Sequence, residues 1–179
     1  MVENFKDQNQ LPWIEEYRPK KINDVIDHID IIRILKKFIE SKNLPNLLFY
    51  GSPGTGKTST ILALAKEMYT TSYDSMVLEK NASNDRGIFF IRSDIKNFAS
   101  TKIIDSKFKY KLIILDEVDA MTIEAQTALR FIMDEYFDNV RFCLICNYVS
   151  KLIYNIQSRC MKFRFKIIGF DYNTTNTTT

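Results

Sequence analysis

"LLFYGSPGTGKTSTILALA", residues 47–65, runs from an apolar stretch into a glycine-rich turn and out into a second apolar stretch. The turn Gly51, Ser52, Pro53, Gly54, Thr55, Gly56, Lys57, Thr58, followed by Ser59, fits G-x-x-x-x-G-K-[ST] in the strand–turn–helix setting that this pattern requires. Glycines let successive backbone N–H groups turn inward as an anion cradle, and the positive end of the following helix adds to it. Lys57 is placed to reach β- and γ-phosphates, and the Thr58 hydroxyl to ligate Mg²⁺. These residues predict nucleotide binding.

Around the turn, strand and helix patterns alternate. Strands are predicted over 46–50, 76–81, 111–116, 140–147 and 161–165, and helices over 56–68, 87–98 and 122–136, with a short turn near 150–157. Before them, Ile32, Leu35 and Ile39 share one helical face, with 41–43 as a frayed end. The alternation implies an α/β fold with a mostly parallel sheet, right-handed crossovers and helices on both faces. A chain of 179 residues, 45% hydrophobic and 26% charged, has material for one such unit and not two.

A net charge of +3 is too mild to establish a nucleic-acid partner by itself. "MVENFKDQNQ" lacks the apolar segment of a signal peptide, and no run approaches the ~18 apolar residues of a membrane helix, so a soluble intracellular protein is expected. Cys143 and Cys146 form C-x-x-C inside "RFCLICNY", which reads as a buried strand with no second pair at zinc spacing; packing is the expected role. Residues 1–12 read as a disordered lead, and the Asn/Thr-rich 167–179 as a disordered tail. The abrupt end suggests a truncated gene model or a fragment.

Two further stretches carry chemistry. "KLIILDEVDA" ends an apolar strand in Asp116 and Glu117, and a parallel sheet would bring this edge beside the phosphate turn. Asp116 suits Mg²⁺, partly through water, while Glu117 suits the orientation and deprotonation of an attacking water. Asn147, polar directly after an apolar run, either emerges at the same edge to hold that water or forms a turn. The carboxylates favour hydrolysis over binding alone.

"GSPGTGKT", "LDEVDAMT", "NASNDRGI", "CNY" and "QSRC" fall in the order and spacing of the AAA+ clamp loader subunits, and "EEYRPKKINDVI" is similar to the N-terminal segment of replication factor C small subunits. "LPWIEEYRP", "SMVLEKNASNDRGI" and "RFCLICNYVSKL" favour one branch of those subunits. The resemblance implies an AAA+ P-loop ATPase domain over 13–166 with a five-stranded sheet, the family's helical lid and collar falling outside this chain. It implies ATP and Mg²⁺ as cofactors, and as partners the other subunits of a hetero-pentamer, the sliding clamp PCNA and primer–template DNA. A nuclear setting in DNA replication and repair follows, with no membrane partner.

The resemblance also assigns residues. Asn147 matches sensor 1. Arg159 of Ser158-Arg159-Cys160, which alone reads as a solvated cation beside Lys162 and Arg164, matches the arginine finger that enters a neighbouring subunit's ATP site. Such a residue contributes ~10³–10⁵ in rate in related phosphoryl transfers. Tyr17, Arg18, Pro19, Val25 and Ile26 match the segment packed on adenine and ribose, although a surface arm is the plainer reading. Arg86, Arg92 and Lys96, otherwise an ordinary solvated face, match positions that track template phosphates.

Departures from the family pattern are Asn84, Phe89-Phe90 and Phe131, the last replacing a basic residue. The apolar residues Phe98, Ile103 and Ile104 fit either a clamp-facing strip or the core. Two other readings stand beside the clamp loader ATPase: a non-catalytic module whose nucleotide locks an assembly surface, and a different P-loop ATPase or kinase.

Overall fold

The computed structural model describes residue 19 and residues 21–25, 28–84, 89, 91–103 and 108–167. Expectations for the lead 1–12, for the tail beyond 167, and for Tyr17, Arg18, Ile26, Arg86, Phe90 and Ile104 fall outside them.

The strands β1 (Leu47–Gly51), β2 (Val77–Asn81), β3 (Lys111–Asp116), β4 (Val140–Cys146) and β5 (Met161–Phe165) form one parallel sheet in the order β2-β3-β4-β1-β5. Helices α1 (Ile29–Ser41), α2 (Lys57–Tyr69), α3 (Lys96–Ser100), α4 (Ile123–Glu135) and α5 (Tyr154–Gln157) lie between or before them. Among the described residues no helix is long and apolar enough to cross a membrane.

β1, β3 and β4 read as unbroken apolar runs because both faces of the sheet are covered. Side chains alternate across a strand, so Leu47, Phe49, Leu112, Ile114 and Ile145 join one core with Leu35 of α1 and Ile61, Leu64 and Ala65 of α2. Leu48, Ile113, Leu115, Phe142 and Leu144 join the other, with Leu129 and Met133 of α4. At about 1.5–3 kcal/mol for each fully buried large aliphatic or aromatic side chain, these two layers supply the main drive for folding. The same alternation separates the C-x-x-C pair: Cys143 belongs to the first core and Cys146 to the second. Burial pushes the Cys143 thiol well up and that of Cys146 up to about 12, so both are protonated packing groups at neutral pH.

Three local details differ from expectation. The end of α1 is capped instead of frayed: Lys42 takes the left-handed conformation (φ 50°), its N–H reaches the carbonyls of Phe38 and Ile39, and Asn43 N–H donates to Phe38 O at 3.2 Å. The helix expected over 87–98 contains a π-helical turn, Ile91–Ile95, that runs into α3. Ile91, Ile95 and Ala99 recur every four residues and are fully buried; the wider turn brings that spacing onto one face, which a strict 3.6-residue helix would let drift. Asn46 precedes β1 instead of opening it, yet its Oδ1 accepts from Phe142 N–H at 2.9 Å and its carbonyl from Met161 N–H at 2.8 Å, bridging β4 and β5.

Two cations are buried at the N-terminal edge of the sheet. Lys111 donates to Thr101 O (2.5 Å), Thr101 Oγ1 (2.7 Å) and Phe98 O, closing the carbonyl end of α3. Arg141 donates to Leu44 O at 2.7 Å and to the carbonyls of Phe137 and Val140, with the Tyr110 and Phe137 rings against its guanidinium. Desolvation lowers the pKa of both.

At the other edge, Gly51 ends β1 with φ 140° opposite Phe165. A Cβ on Gly51 would stand 2.0 Å from the Phe165 carbonyl oxygen, so this backbone approach admits no side chain. Gly51→Ala is expected to lower stability by roughly 2–4 kcal/mol, read as a shift in the midpoint of urea unfolding.

Candidate functional site

Pairing of Tyr50 with Cys146 and of Leu115 with Leu144 aligns the C-terminal ends of β1, β4 and β3. The phosphate-type turn, Asp116-Glu117 and Asn147 therefore leave the sheet at one edge, the edge at which open α/β sheets bind ligands. Ala82 N–H extends the β2–β3 ladder by donating to Asp116 O at 2.8 Å, and Asn81 Oδ1 accepts from Ser83 N–H.

The turn is built as its sequence implies. Gly54 and Gly56 hold φ 75° and 83°, conformations that side chains resist, and a Cβ on either would meet open space. Thr55 Oγ1 closes the turn onto Ser52 O at 2.8 Å. Lys57 opens α2 and folds back: its Nζ donates to Gly51 O (2.9 Å), Ser52 O (2.8 Å) and Asn147 Oδ1 (3.1 Å). Burial lowers its pKa, and Asp116 opposes that by favouring the cation. One ammonium thus joins the ends of β1 and β4.

The Thr58 hydroxyl donates to Asp116 Oδ2 at 2.6 Å, while Asp116 Oδ1 accepts from Glu117 N–H at 2.8 Å. A hydroxyl and a carboxylate in contact are the hard oxygen donors Mg²⁺ prefers. Among the described residues no cluster of three or more His, Cys, Asp or Glu that could hold a metal is present, and an ion held by this pair would need its other ligands from water and phosphate oxygens. With the glycine cradle and Lys57 alongside, the residues fit a magnesium nucleotide. Glu117 stands in the left-handed region (φ 54°), exposed, its carboxylate without a hydrogen bond among the described residues. That conformation turns the chain sharply after β3, so Asp116 and Glu117 point differently.

Of the N-terminal residues matched to the base-packing segment, Pro19 is half-buried and Val25 packs against the first core. Between them, Ile22 is fully buried and donates its N–H to Glu67 Oε2 of α2 at 3.3 Å.

Arg159 is not brought to this site. It sits just ahead of β5, whose Met161 pairs with Leu47 while Phe165 pairs with Gly51. A strand rises about 3.3 Å per residue, which puts Arg159 some 16 Å or more along the sheet from the turn of its own chain. There it is held by Asp134 of α4.

Arg92 and Lys96 are exposed and together line a groove of about 470 Å³ against α4, shared with Ile123, Phe131, Glu124 and Glu135. The two glutamates offset the cations locally. Phe131 does not leave its surroundings without charge: the Arg130 guanidinium lies 3.9 Å from the centre of its ring. Phe98 packs against the second core and Ile103 against the first, each half-buried.

Sequence reasoning missed several residues. Gln126 donates to Met121 O (3.2 Å) and Lys151 O (3.0 Å) and accepts from Ile153 N–H (2.8 Å), tying the segments after β3 and β4 together. Its signal was a lone amide on the apolar face of a helix. Asp119, which accepts from Tyr148 N–H, and Asp134 looked like solvated acids.

Fold and site define a P-loop nucleotide-binding α/β unit. The family model described as "ATPase family associated with various cellular activities (AAA)" matches residues 47–167, and the chain belongs to that family. It is 58% identical over 156 residues to replication factor C subunit 5 of Homo sapiens, spanning 87% of this chain and 46% of the relative. It is 55% identical over 159 residues to replication factor C subunit 3 of Schizosaccharomyces pombe, spanning 89% and 46%. The chain thus covers just under half the length of these relatives. Among solved structures, a RuvB variant of Thermotoga maritima superposes with TM-score 0.61 at 16% identity, covering 84% of this chain and 48% of that one. A DNA polymerase III gamma subunit-related protein of the same organism gives 0.60 at 23%, covering 74% and 44%. At such identities the likeness concerns the fold.

Replacing Lys57 by Met is expected to raise the Kd for magnesium ATP at least about tenfold, measured by calorimetry, because a charge-assisted hydrogen bond to phosphate is removed. Only the ammonium form makes that bond, so wild-type affinity should fall as pH rises towards a pKa that burial sets below the usual lysine range. The variant should not share this alkaline loss.

Proposed function

We propose that residues 13–166 form the ATP-binding and ATP-hydrolysing unit of a replication factor C small subunit, of the branch named subunit 3 or 5. In this reading it serves a nuclear hetero-pentamer that opens the PCNA ring and places it on primer–template DNA during replication and repair. One observation carries it: Lys57, the Thr58–Asp116 pair, Glu117 and Asn147 meet at one edge of the sheet, while Arg159 stands at the other. The identity to replication factor C subunits over most of this chain supports the choice of complex.

In this site the turn from Gly51 to Ser59 cradles phosphates, and Thr58 and Asp116 hold Mg²⁺. Magnesium ATP supplies the phosphoryl group and the charge neutralisation. Lys57 steadies the phosphate charge. Glu117 accepts the proton of the attacking water, and Asn147, already in contact with Lys57, orients that water. Tyr17, Arg18, Pro19, Val25 and Ile26 serve as the contacts to adenine and ribose. Arg159 completes the neighbouring subunit's site. Arg86, Arg92 and Lys96 follow the DNA backbone, a sequence-independent contact that suits loading at any junction.

The test is a clamp loader reconstituted with this subunit. Glu117→Gln should keep nucleotide binding and lower DNA-stimulated hydrolysis; an equal rate would make the subunit a non-catalytic, nucleotide-locked module. Arg159→Ala should leave binding by its own subunit intact and lower hydrolysis next door, whereas loss of its own ATP binding would refute action in trans.

Replacing Arg92 and Lys96 together by Ala should weaken DNA stimulation and flatten its dependence on salt, by a slope of roughly 0.7–0.9 for each phosphate no longer neutralised. An unchanged slope would return both to the solvated surface.

A further inference from the structure

Each of the three nitrogens of the Arg159 guanidinium makes a hydrogen bond. Its Nε donates to Asp134 Oδ1 at 2.6 Å, its Nη2 to Asp134 Oδ2 at 3.0 Å, and its Nη1 to Asn155 O at 2.7 Å. Arg130, one turn before Asp134 on α4, donates to the same carboxylate at 3.3 Å, its own guanidinium lying over the Phe131 ring. We propose that Asp134 is a positioning residue for trans catalysis, holding Arg159 so that its remaining N–H groups are presented to the nucleotide of an adjoining subunit. This rests on the trans role given to Arg159 above.

Three observations support the assignment. The pair is partly exposed, with the side chains of Arg159 and Asp134 retaining 32% and 44% of their accessible surface. Exposed ion pairs contribute little to stability, so what the bidentate geometry adds is direction. A guanidinium has five N–H groups, and three are committed here, leaving one on each terminal nitrogen. Those two remain for phosphate oxygens.

The backbone beneath Arg159 is also fixed. Ser158 N–H donates to Tyr154 O at 2.9 Å and Arg159 N–H to Ile156 O at 3.1 Å, and Cys160 leads directly into β5. Only the long side chain is left to order. Asp134 and Asn155 hold it in advance, which removes the loss of rotamer freedom from the moment of engagement. Arg130 in turn steadies Asp134 by sharing its Oδ2 with Arg159.

The test compares Asp134→Asn, Asp134→Glu, Arg159→Ala and the double variant Asp134→Asn/Arg159→Ala in the reconstituted complex. Asp134→Asn keeps the shape of the side chain but sets an amide N–H against a guanidinium donor. It should lower kcat at the neighbour's site roughly ten- to a hundredfold with KM for ATP unchanged, the usual range for an outer partner of a catalytic group. Asp134→Glu, which keeps the charge, should recover part of the loss. In the double variant the Asp134 substitution should add nothing to the effect of Arg159→Ala.

Unchanged or raised turnover in Asp134→Asn, with Arg159→Ala still impaired, overturns the positioning role alone. An undiminished Asp134 effect in the double variant overturns it as well, since the residue would then act elsewhere. Unchanged turnover in Arg159→Ala removes the trans reading, and this inference falls with it. ATP binding by the subunit itself, at the opposite edge, monitors folding in every variant.

Discussion

The structure depends on where β1 is paired. The strand that ends in Gly51 lies between β4 and β5, the two strands furthest from it along the sequence. Neither side of β1 can be satisfied until the rest of the chain has arrived, so the phosphate-type turn is anchored only in the completed sheet. Pairing of Gly51 with Phe165 is so close that only a bare Cα fits, and the turn begins at a fixed height above the sheet. From that height Lys57 spans to Asn147 and Thr58 to Asp116.

The two edges of the sheet are stabilised by different means. At the C-terminal edge the polar groups range from buried Lys57 to exposed Glu117 and engage mainly one another and the turn's own carbonyls, an arrangement that a ligand's charge can enter and rearrange. At the N-terminal edge Lys111 and Arg141 are buried among backbone carbonyls and aromatic rings, and carry no carboxylate partner in their hydrogen bonds among the described residues. Each replaces its lost hydration with several charge-assisted bonds, and so fixes the segments around Thr101, Phe137 and Leu44. One edge is open to exchange and the other is locked.

Features governed by local pattern were readable from the sequence. The apolar runs of β1, β3 and β4 could only be covered strands, and the glycines, Lys57 and Thr58 stated their chemistry by spacing. Asp116, Glu117 and Asn147 were legible as polar residues ending such runs. What was hidden depends on contacts between distant segments. Asp134 looked like any solvated acid until Arg159 was brought to it, and Lys111 and Arg141 resembled charges flanking strands until the carbonyls they satisfy were in place. The π-helical turn before α3 disguised itself as an ordinary helix, since a four-residue spacing of Ile91, Ile95 and Ala99 suits either period over so short a stretch. Lys42 gave no sign of a cap, as glycine usually takes that left-handed position.

Under the trans role proposed for Arg159, its separation from the phosphate turn along the length of β1 and β5 has a consequence for symmetry. A subunit that offers an arginine at one end of its sheet and accepts one at the other is polar, like a link with a hook and an eye. Facing copies across a two-fold axis do not readily fasten such links, whereas a head-to-tail series does, and that series either closes into a ring or winds on as an open spiral. In an open series the first eye receives no hook and the last hook finds no eye. The number of working sites is then one fewer than the number of links, and the assembly has a beginning and an end.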